Sequence, residues 1–303
     1  MNRPLPRTIA EYLDELRTAL RGADPALIQD ALYDAEDHLR SELAENPGKS
    51  EAEVLAKIAA TYGAPDEVAG IYVDKEVQMQ QALRPPPPPA RTTAMGKFFG
   101  VAADPRAYAA LFYMLLSLAT GIFYFVWAVT GVSLSLGLSI LIFGLAFAVL
   151  FFGTVRVLSL VEGRIIEVML GERMPRRPVY AERGKPFMTR IKEMFTDPRT
   201  WSTLLYMVLM LPLGIVYFTT AVTGITLSLA CMVAPVAIAL REVGIINDGG
   251  IYWDDQLFFP PIIALPFTFL VGVFLLFGML HLARGIGKFQ GAIAKHLLVK
   301  SSG

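Results

Sequence analysis

The 303-residue sequence has little from which a thiol or metal site could be built. It contains one cysteine, Cys231, which excludes an intrachain disulfide, and three widely spaced histidines, which supply no ligand cluster. No nucleophile with a neighbouring base and no catalytic carboxylate pair is visible. The sequence therefore predicts no catalytic residue, no metal and no cofactor, and an enzyme is the least favoured class.

Charge is absent from three long stretches. Residues 107 to 155, 200 to 240 and 256 to 280 contain no Asp, Glu, Lys or Arg, and apolar residues make up 54% of the chain. Each stretch exceeds the roughly 18 to 20 residues needed to cross a ~30 Å hydrocarbon core. This pattern excludes a soluble globular protein and predicts several α-helical membrane spans.

The formal net charge is zero, but the two signs are separated along the chain. Residues 1 to 84 hold 16 acids and 9 bases, whereas residues 85 to 303 hold 11 acids and 18 bases. We expect residues 1–84 to form an acidic cytoplasmic head, because they begin with a polar stretch and contain no apolar segment of the signal-peptide type. Residues 85–103, with prolines from Pro85 to Pro89, are expected to be a stiff linker that holds the head off the membrane.

The head has the pattern of a small all-α bundle of four helices. Asp24 and Pro25 predict an N-cap and first position of the second helix, and Ser50 with Glu53 predicts a capping box for the third. Pro65 predicts the start of the fourth. The second helix should bury one apolar stripe, formed by Ile28, Leu32, Ala35, Leu39 and Leu43.

That stripe turns Asp30, Asp34 and Asp37 to the opposite side of the second helix. With His38 nearby, these carboxylates could form a metal or acid–base site, although a charged run opposite an apolar stripe is ordinarily the solvated face of a helix. An excess of seven acids over bases in the head would also steer a basic protein. Asp30, Asp34 and Asp37 are therefore the candidate partner-binding residues.

The membrane part contains an internal repeat. Residues 104 to 136 align with residues 197 to 229, and 19 of the 33 positions are identical, beginning with Asp-Pro-Arg in both copies. Each copy should begin with an Asp N-cap and break at a Thr-Gly pair, at Gly131 or Gly224. We assign repeat 1 to residues 104–196 and repeat 2 to residues 197–303, with an extracytoplasmic insert at 238–258.

Loop charges predict the orientation. Residues 156 to 199 hold ten bases against six acids and should face the cytoplasm, as should the basic C-terminal tail. Four crossings, at about 107–129, 134–155, 201–222 and 259–281, then place both termini inside. The shared Phe-Gly pairs at Phe152 and Phe277 lie 125 residues apart and imply about 32 extra residues in repeat 2.

One part of this membrane region allows two alternatives. Ile225 to Leu240 could be a re-entrant or interfacial helix, or a short fifth span that would place the C-terminus outside. Val161–Leu170 and Ile286–Leu298 are amphipathic and should lie along the inner surface.

The insert in repeat 2 carries a hairpin signal at Asn247 to Gly250, between Ile245-Ile246 and Ile251-Tyr252-Trp253. Its aromatic residues could simply anchor the chain at the headgroups, or the insert could contact an extracytoplasmic ligand. The candidate contact residues are Asp248, Tyr252, Trp253, Asp254 and Asp255.

These motifs resemble two bacterial families. The repeated DPR, LLYM, YF and VTG segments, over about residues 104 to 298, resemble the Putative sensor domain found ahead of kinase modules in some two-component kinases. The segments YLDELRTAL, DALYDAEDHL and YGAPDEVA, over about residues 8 to 78, resemble the HAAS-type helical signalling domain. That resemblance implies association with PadR-like transcription regulators. No ATP-binding glycine motif or phospho-acceptor region follows, so output should pass through a bound partner.

The leading hypothesis is a non-enzymatic signalling protein of the bacterial inner membrane that couples an envelope or lipid stimulus to a cytoplasmic regulator, of helix-turn-helix type. A membrane scaffold without a ligand is the alternative, and a transporter is less favoured because no span carries an acid or base. The bilayer and the regulator are the expected partners. Direct binding of nucleic acid is not expected, and a homo-oligomer is left open.

Overall fold

The computed structural model describes residues 6–83, 93–141, 143–177, 187–245, 251–253, 256–258 and 264–299. The fold is all-α, as expected, apart from one short hairpin in the described residues. Its contacts divide the chain into two compact units. Unit 1 comprises Met1–Pro87, Val126–Val208 and Gly291–Gly303, and unit 2 comprises Pro88–Phe125 and Leu209–Gln290.

The head, in unit 1, consists of four helices: α1 (Ile9–Ala19), α2 (Pro25–Glu45), α3 (Glu51–Thr61) and α4 (Pro65–Leu83). Its core is built from the expected apolar faces, including Ile28, Ala35 and Leu39 of α2, with Leu32 and Leu43 packed at its edge. Tyr12 is also buried there, and its hydroxyl donates to the carbonyl oxygen of Gly63 at 2.9 Å. The bundle thus contains its own core.

The helix boundaries in the head follow the local capping chemistry. Asp24 accepts a hydrogen bond from the backbone N–H of Ala26, and Pro25 occupies the first position of α2. Ser50 and Glu53 form the reciprocal capping box at α3. These predictions are confirmed. They could be made from the sequence because each cap depends on residues only a few positions apart.

Four long apolar helices follow a short helix, α5 (Ala94–Phe99), and a 3₁₀ turn (Gly100–Ala103). They are α6 (Pro105–Leu138), α7 (Gly144–Leu170), α9 (Pro198–Glu242) and α10 (Ala264–Leu298), with α8 (Phe187–Thr196) between α7 and α9. By length and composition, each of the four can cross a membrane. The N-cap aspartates of both repeats are confirmed, because Asp104 accepts from Arg106 N–H at 3.0 Å and Asp197 from Arg199 N–H at 3.1 Å.

The expected Thr-Gly breaks are wrong. Gly131 lies inside α6 and Gly224 inside α9. A Cβ at Gly131 would collide with the ring of Phe151, and one at Gly224 would lie 2.6 Å from the sulfur of Met279. These glycines therefore allow a neighbouring side chain to approach the helix, and continuous backbone hydrogen bonding outweighs the roughly 1 kcal/mol propensity cost of an interior glycine.

Residues 225 to 240 are neither a separate re-entrant helix nor a fifth span. They continue α9, which runs for 45 residues with Pro212 and Pro235 inside it. At 1.5 Å per residue, α9 is about 67 Å long. The amphipathic segments Val161–Leu170 and Ile286–Leu298 are likewise not separate helices, since they form the ends of α7 and α10.

The insert of repeat 2 contains a short hairpin in the described residues. Strand β1 (Ile251–Trp253) pairs in antiparallel fashion with β2 (Gln256–Phe258), with Tyr252 opposite Leu257. The predicted turn at residues 247–250, together with Ile246, lies outside the described residues. The intervening residues 254 and 255 lie outside the described residues, as do Asp248 and the prolines from Pro85 to Pro89.

The burial pattern gives the structural register of the two repeats. The buried residues Gly144, Phe151, Val155, Glu162, Gly163 and Ile166 of α7 correspond to the buried Gly272, Met279, Ala283, Gln290, Gly291 and Ala294 of α10, each 128 positions later. The Phe-Gly alignment at 125 is therefore wrong by three residues. The two alignments differ by three residues, which is nearly one helical turn, so each of them matches apolar residues with apolar residues. Only the packing of the helices distinguishes them.

In unit 2, α6 and α9 approach each other at backbone distance. A Cβ at Gly121 would overlap the carbonyl oxygen of Met210, and a Cβ at Gly214 would overlap that of Ser117. Gly121 and Gly214 are equivalent in the repeat, as are Ser117 and Met210, so the contact is reciprocal. Small residues allow such close helix contacts in membranes.

We predict that Gly121→Ala destabilises the protein, because a methyl group there meets backbone that cannot rotate away. Overpacking of this kind costs about 1 to 3 kcal/mol. Gly278→Ala is the matched control, since Gly278 is also within a unit 2 helix and has no atom within 4 Å of its Cβ position. Thermal unfolding of the purified protein in detergent should show a lower midpoint for Gly121→Ala only; equal midpoints for the two variants would contradict the packing.

Candidate functional site

Asp30 is buried, contrary to the expectation that it faces solvent. Only 5% of the residue is exposed. Its carboxylate contacts the segment that follows α7, residues 171–177, which belongs to the same unit as the head. Oδ1 accepts the backbone N–H groups of Arg176 at 2.7 Å and Arg177 at 2.8 Å. The acidic side of α2 is therefore covered by another part of the chain.

Arg173 lies at the centre of this contact. Its Nη2 is 2.9 Å from Asp30 Oδ2, and its Nε is 2.9 Å from Glu76 Oε1 of α4. A third carboxylate, Glu167 of α7, lies 3.9 Å from Nη1. The side chains of Arg173, Asp30 and Glu76 are each less than 10% exposed. We call Asp30, Glu76, Glu167 and Arg173 the docking cluster.

Two further arginines extend the docking cluster. Arg176 pairs with Glu167 at 2.9 Å, and Arg177 pairs with Asp34 at 2.8 Å. Asp34 also accepts a hydrogen bond from the hydroxyl of Tyr72, so the same carboxylate contacts α4 within the head. Its side chain is 29% exposed. Asp34 is therefore more accessible than Asp30, and Asp37 is also only partly buried.

The N-terminal end of α2 contacts two other parts of unit 1. Asp24 pairs with Lys295 near the end of α10 at 2.5 Å. Gln29 donates to the carbonyl oxygen of Arg177 at 3.0 Å and accepts from Arg199 at 3.2 Å. The head is thus attached to the segment after α7, the start of α9 and the end of α10. The expectation that it is held away from the membrane part is wrong.

The electrostatics of Asp30 make this attachment finely balanced. Burial raises the pKa of the Asp30 carboxyl, while Arg173 and the N–H groups of Arg176 and Arg177 lower it; burial has the larger effect. The pKa of the docked Asp30 carboxyl therefore lies above the ordinary value of 3.8. Desolvation thus offsets much of the Coulomb attraction, as is usual for buried ion pairs.

Of the docking cluster, sequence reasoning named only Asp30, as an exposed partner contact, and it missed the two other carboxylates and the arginine. Arg173, Arg176 and Arg177 lie in the segment whose positive charge was used only to predict membrane orientation. Glu76 lies on α4, 46 positions from Asp30 in the sequence. The available signal was charge complementarity between the acidic head and the basic segment, but it does not identify which residues pair.

The other proposed site residues have different settings. His38 stacks on Tyr62, with ring centroids 4.5 Å apart. Within the described ranges, no group of three or more His, Cys, Asp or Glu residues is arranged to hold a metal ion. Of the candidate extracytoplasmic contacts, Tyr252 and Trp253 lie on β1, whereas Asp248, Asp254 and Asp255 lie outside the described residues.

Four helices long and apolar enough to cross a membrane, together with an attached helical head, define a membrane protein with several spans. The Putative sensor family matches residues 113–298, and the HAAS family matches residues 11–70. No curated protein and no solved structure matches the chain.

The sensor match covers more than half of the chain, so this protein belongs to the Putative sensor family. Both resemblances noted in the sequence are confirmed. The two domains and the apolar helices together fit a membrane sensor or signalling role.

We predict that Arg173→Gln releases the head, because it leaves three carboxylates close together without their shared cation. Removing one partner of a buried ion pair typically costs about 3 to 5 kcal/mol. Hydrogen–deuterium exchange should show faster exchange in residues 171–177, where the N–H groups of Arg176 and Arg177 donate to Asp30.

Arg164→Gln is the control for the loss of one positive charge near Glu167. The Arg164 side chain is 46% exposed, and its ion pair with Glu167 is local to α7. Exchange in residues 171–177 should therefore stay close to that of the unmodified protein. If Arg173→Gln also leaves this exchange unchanged, the docking cluster does not hold the head.

Proposed function

We propose that this protein is a non-enzymatic membrane sensor whose head alternates between a docked state and a released state that binds a cytoplasmic regulator. The observation that carries the proposal is the docking cluster. It joins the HAAS domain to the membrane helices through charged groups, so a displacement of α7 or of residues 171–177 would act directly on the head.

The polar character of the contact suits a reversible switch. A buried ion pair gains Coulomb energy but loses hydration, and the two terms nearly cancel. Release of the head returns both sets of charges to water, so a modest change at the membrane can shift the equilibrium. Because the head has its own apolar core, it can undock without unfolding.

The proposed partner is a PadR-like regulator with a basic docking surface. In the docked state, Arg173 forms an ion pair with Asp30, and Arg177 forms one with Asp34. A basic surface on the regulator would compete with these arginines for the same carboxylates, with Asp37 as a further contact. The arginine segment would then act as an internal competitor that limits regulator binding until a stimulus displaces it.

The stimulus is proposed to arise in the envelope or the lipid phase. The insert of repeat 2 is the proposed extracytoplasmic contact region, through Asp248, Tyr252, Trp253, Asp254 and Asp255. It follows α9 and precedes α10, so a ligand there would bear on both helices. The end of α10 contacts the head through Lys295 and Asp24, which supports a route from the insert to the head.

We predict that Arg173→Gln increases capture of a PadR-like regulator from the producing cells by the full-length protein. Adding Asp34→Asn and Asp37→Asn should abolish the increase, because it removes charges on the face that release exposes. The measurement is affinity purification in detergent followed by quantitative mass spectrometry, with Arg164→Gln as the control. Equal capture by all four proteins would contradict competition by the arginine segment.

The contacts of the head also support an arrangement in which both termini lie on the same side of the membrane. Lys295 and Arg173 both pair with α2, so the segment after α7 and the end of α10 lie on the same side of any membrane that the helices cross. An even number of crossings must then separate these two segments. This agrees with the four-span arrangement in the bacterial inner membrane.

Reporter fusions test this topology. We expect fusions after Arg177 and after Gly303 to report the cytoplasm, because both follow basic segments, and a fusion after Gly250 to report the outside. Activity would be measured with a paired set of reporters, one active only inside and one only outside. An outside signal at Gly303 would contradict cytoplasmic placement of the C-terminus.

A further inference from the structure

A cavity in unit 1 lies next to the head. Its polar wall is formed by Gln29 of α2, Arg156 and Ser159 of α7, and Arg199, Thr200 and Thr203 at the start of α9. Thr200 and Thr203 are 3% and 8% exposed. Residues with two guanidinium groups and several hydroxyl groups thus line one cavity, and all of these groups can donate hydrogen bonds.

Arg156 is the unusual group in this cavity. Its Nη2 atom is buried and has no hydrogen-bond partner within the part of the chain that the structure describes. Burying part of a permanently charged guanidinium without an acceptor is unfavourable, and buried charges in proteins are ordinarily paired. The arrangement therefore calls for an acceptor that the neighbouring side chains do not supply.

The second repeat shows what an arginine at this position binds. Arg284 on α10 lies 128 positions after Arg156 and is its structural equivalent in the burial register. In unit 2, Arg284 Nε is 3.2 Å from a carboxylate oxygen of Asp104, the N-cap of α6. An oxyanion thus neutralises the equivalent guanidinium.

The same pair is open in unit 1. Asp197, the equivalent of Asp104, also lines the cavity, but among the described residues it forms no ion pair with Arg156 within 4.0 Å. Its Oδ1 accepts the N–H of Arg199, just as Oδ1 of Asp104 accepts the N–H of Arg106. Arg156, Arg199 and Asp197 together give the wall one net positive charge, which leaves a single negative charge to be supplied from outside the chain.

We propose that this cavity binds a phosphate oxyanion, held by Arg156 with Arg199 and the Thr200 and Thr203 hydroxyls. Guanidinium groups match the geometry of phosphate oxygens and donate charge-assisted hydrogen bonds to them. One net positive charge suits a monoanion, such as the phosphodiester of a phospholipid headgroup or inorganic phosphate in its dihydrogen form. Asp197 opposes a more highly charged ligand.

The position of the site gives the ligand a consequence for the head. Arg199 donates to Gln29, and Gln29 also donates to the carbonyl oxygen of Arg177 next to the docking cluster. An anion that attracts the Arg199 side chain would therefore affect its hydrogen bond with Gln29, and through Gln29 the contact with Arg177. The binding site itself does not depend on the signalling role, so the two can fail separately.

The test is binding of defined probes to the full-length protein in a neutral detergent. Short-chain phosphatidylglycerol, inorganic phosphate and a short-chain diacylglycerol without phosphate are compared by thermal unfolding. We expect a phosphate-containing probe to raise the midpoint by about 2 to 4 °C near ten times its dissociation constant, and diacylglycerol to have no effect. Protection by phosphatidylglycerol alone identifies a lipid source, and equal protection by inorganic phosphate identifies a soluble one.

Arg156→Gln should weaken binding on the order of tenfold or more, because a charge-assisted hydrogen bond is lost. Arg284→Gln is the matched control: it removes the equivalent arginine of repeat 2 and should leave the ligand response intact. If Arg156→Gln does not fold, Arg156→Lys keeps the charge without the fork and should bind more weakly than the unmodified protein. Protection that is unchanged by substitution of Arg156, or no protection by either phosphate probe, would overturn the proposal.

Discussion

Arg173 is held among three carboxylates, and this interaction lies at the centre of the contacts that dock the head. Asp30 and Glu76 come from two helices of the head, and Glu167 comes from the end of α7. Charges removed from water must be paired, so an alternative placement of the head would have to re-pair or rehydrate all of them. The cluster therefore selects one docked geometry even though its net stabilisation is small.

This distinction between specificity and strength is what the proposed function requires. A large apolar interface would hold the head permanently, because exposing it again would be costly at about 25 cal/mol per Å². A polar contact around Asp30 instead specifies the docked state while leaving the released state within reach. The apolar core of the head is separate from this contact, so the bundle is preserved in either state.

The internal repeat shows how similar sequences acquire different environments. Gly131 and Gly224 both admit a side chain from the following helix, and Asp104 and Asp197 both cap a helix. The copies differ where the head is attached. Arg199 of repeat 2 contacts Gln29, whereas its equivalent in repeat 1, Arg106, is exposed. The duplication thus gives both repeats the same glycine contacts and helix caps, whereas the contact of Arg199 with Gln29 belongs to repeat 2 and makes the two copies different.

Several predictions failed because the sequence contains local information only. Gly131 and Gly224 were predicted to end their helices. A glycine that ends a helix and a glycine that lets a side chain such as Phe151 pack against the helix look identical in sequence. Residues 225 to 240 looked like a separate element because they contain Pro235, and proline is usually disfavoured inside a helix. In the structure, α9 continues through Pro235. Asp30 matched a solvated face because the arginines that cover it are more than 140 residues away.

The sequence by itself determined the all-α class, the four membrane-length helices, the repeat and the helix caps of the head. These features depend on hydropathy and on residues within a few positions of one another, so the chain specifies them locally. Only the tertiary structure decided that α9 is continuous, that the repeats align at 128 on their second helices, and that Arg173 joins Asp30 to Glu76. Each of these depends on which distant groups exclude water from one another, and that is determined by packing in three dimensions rather than by neighbours along the chain.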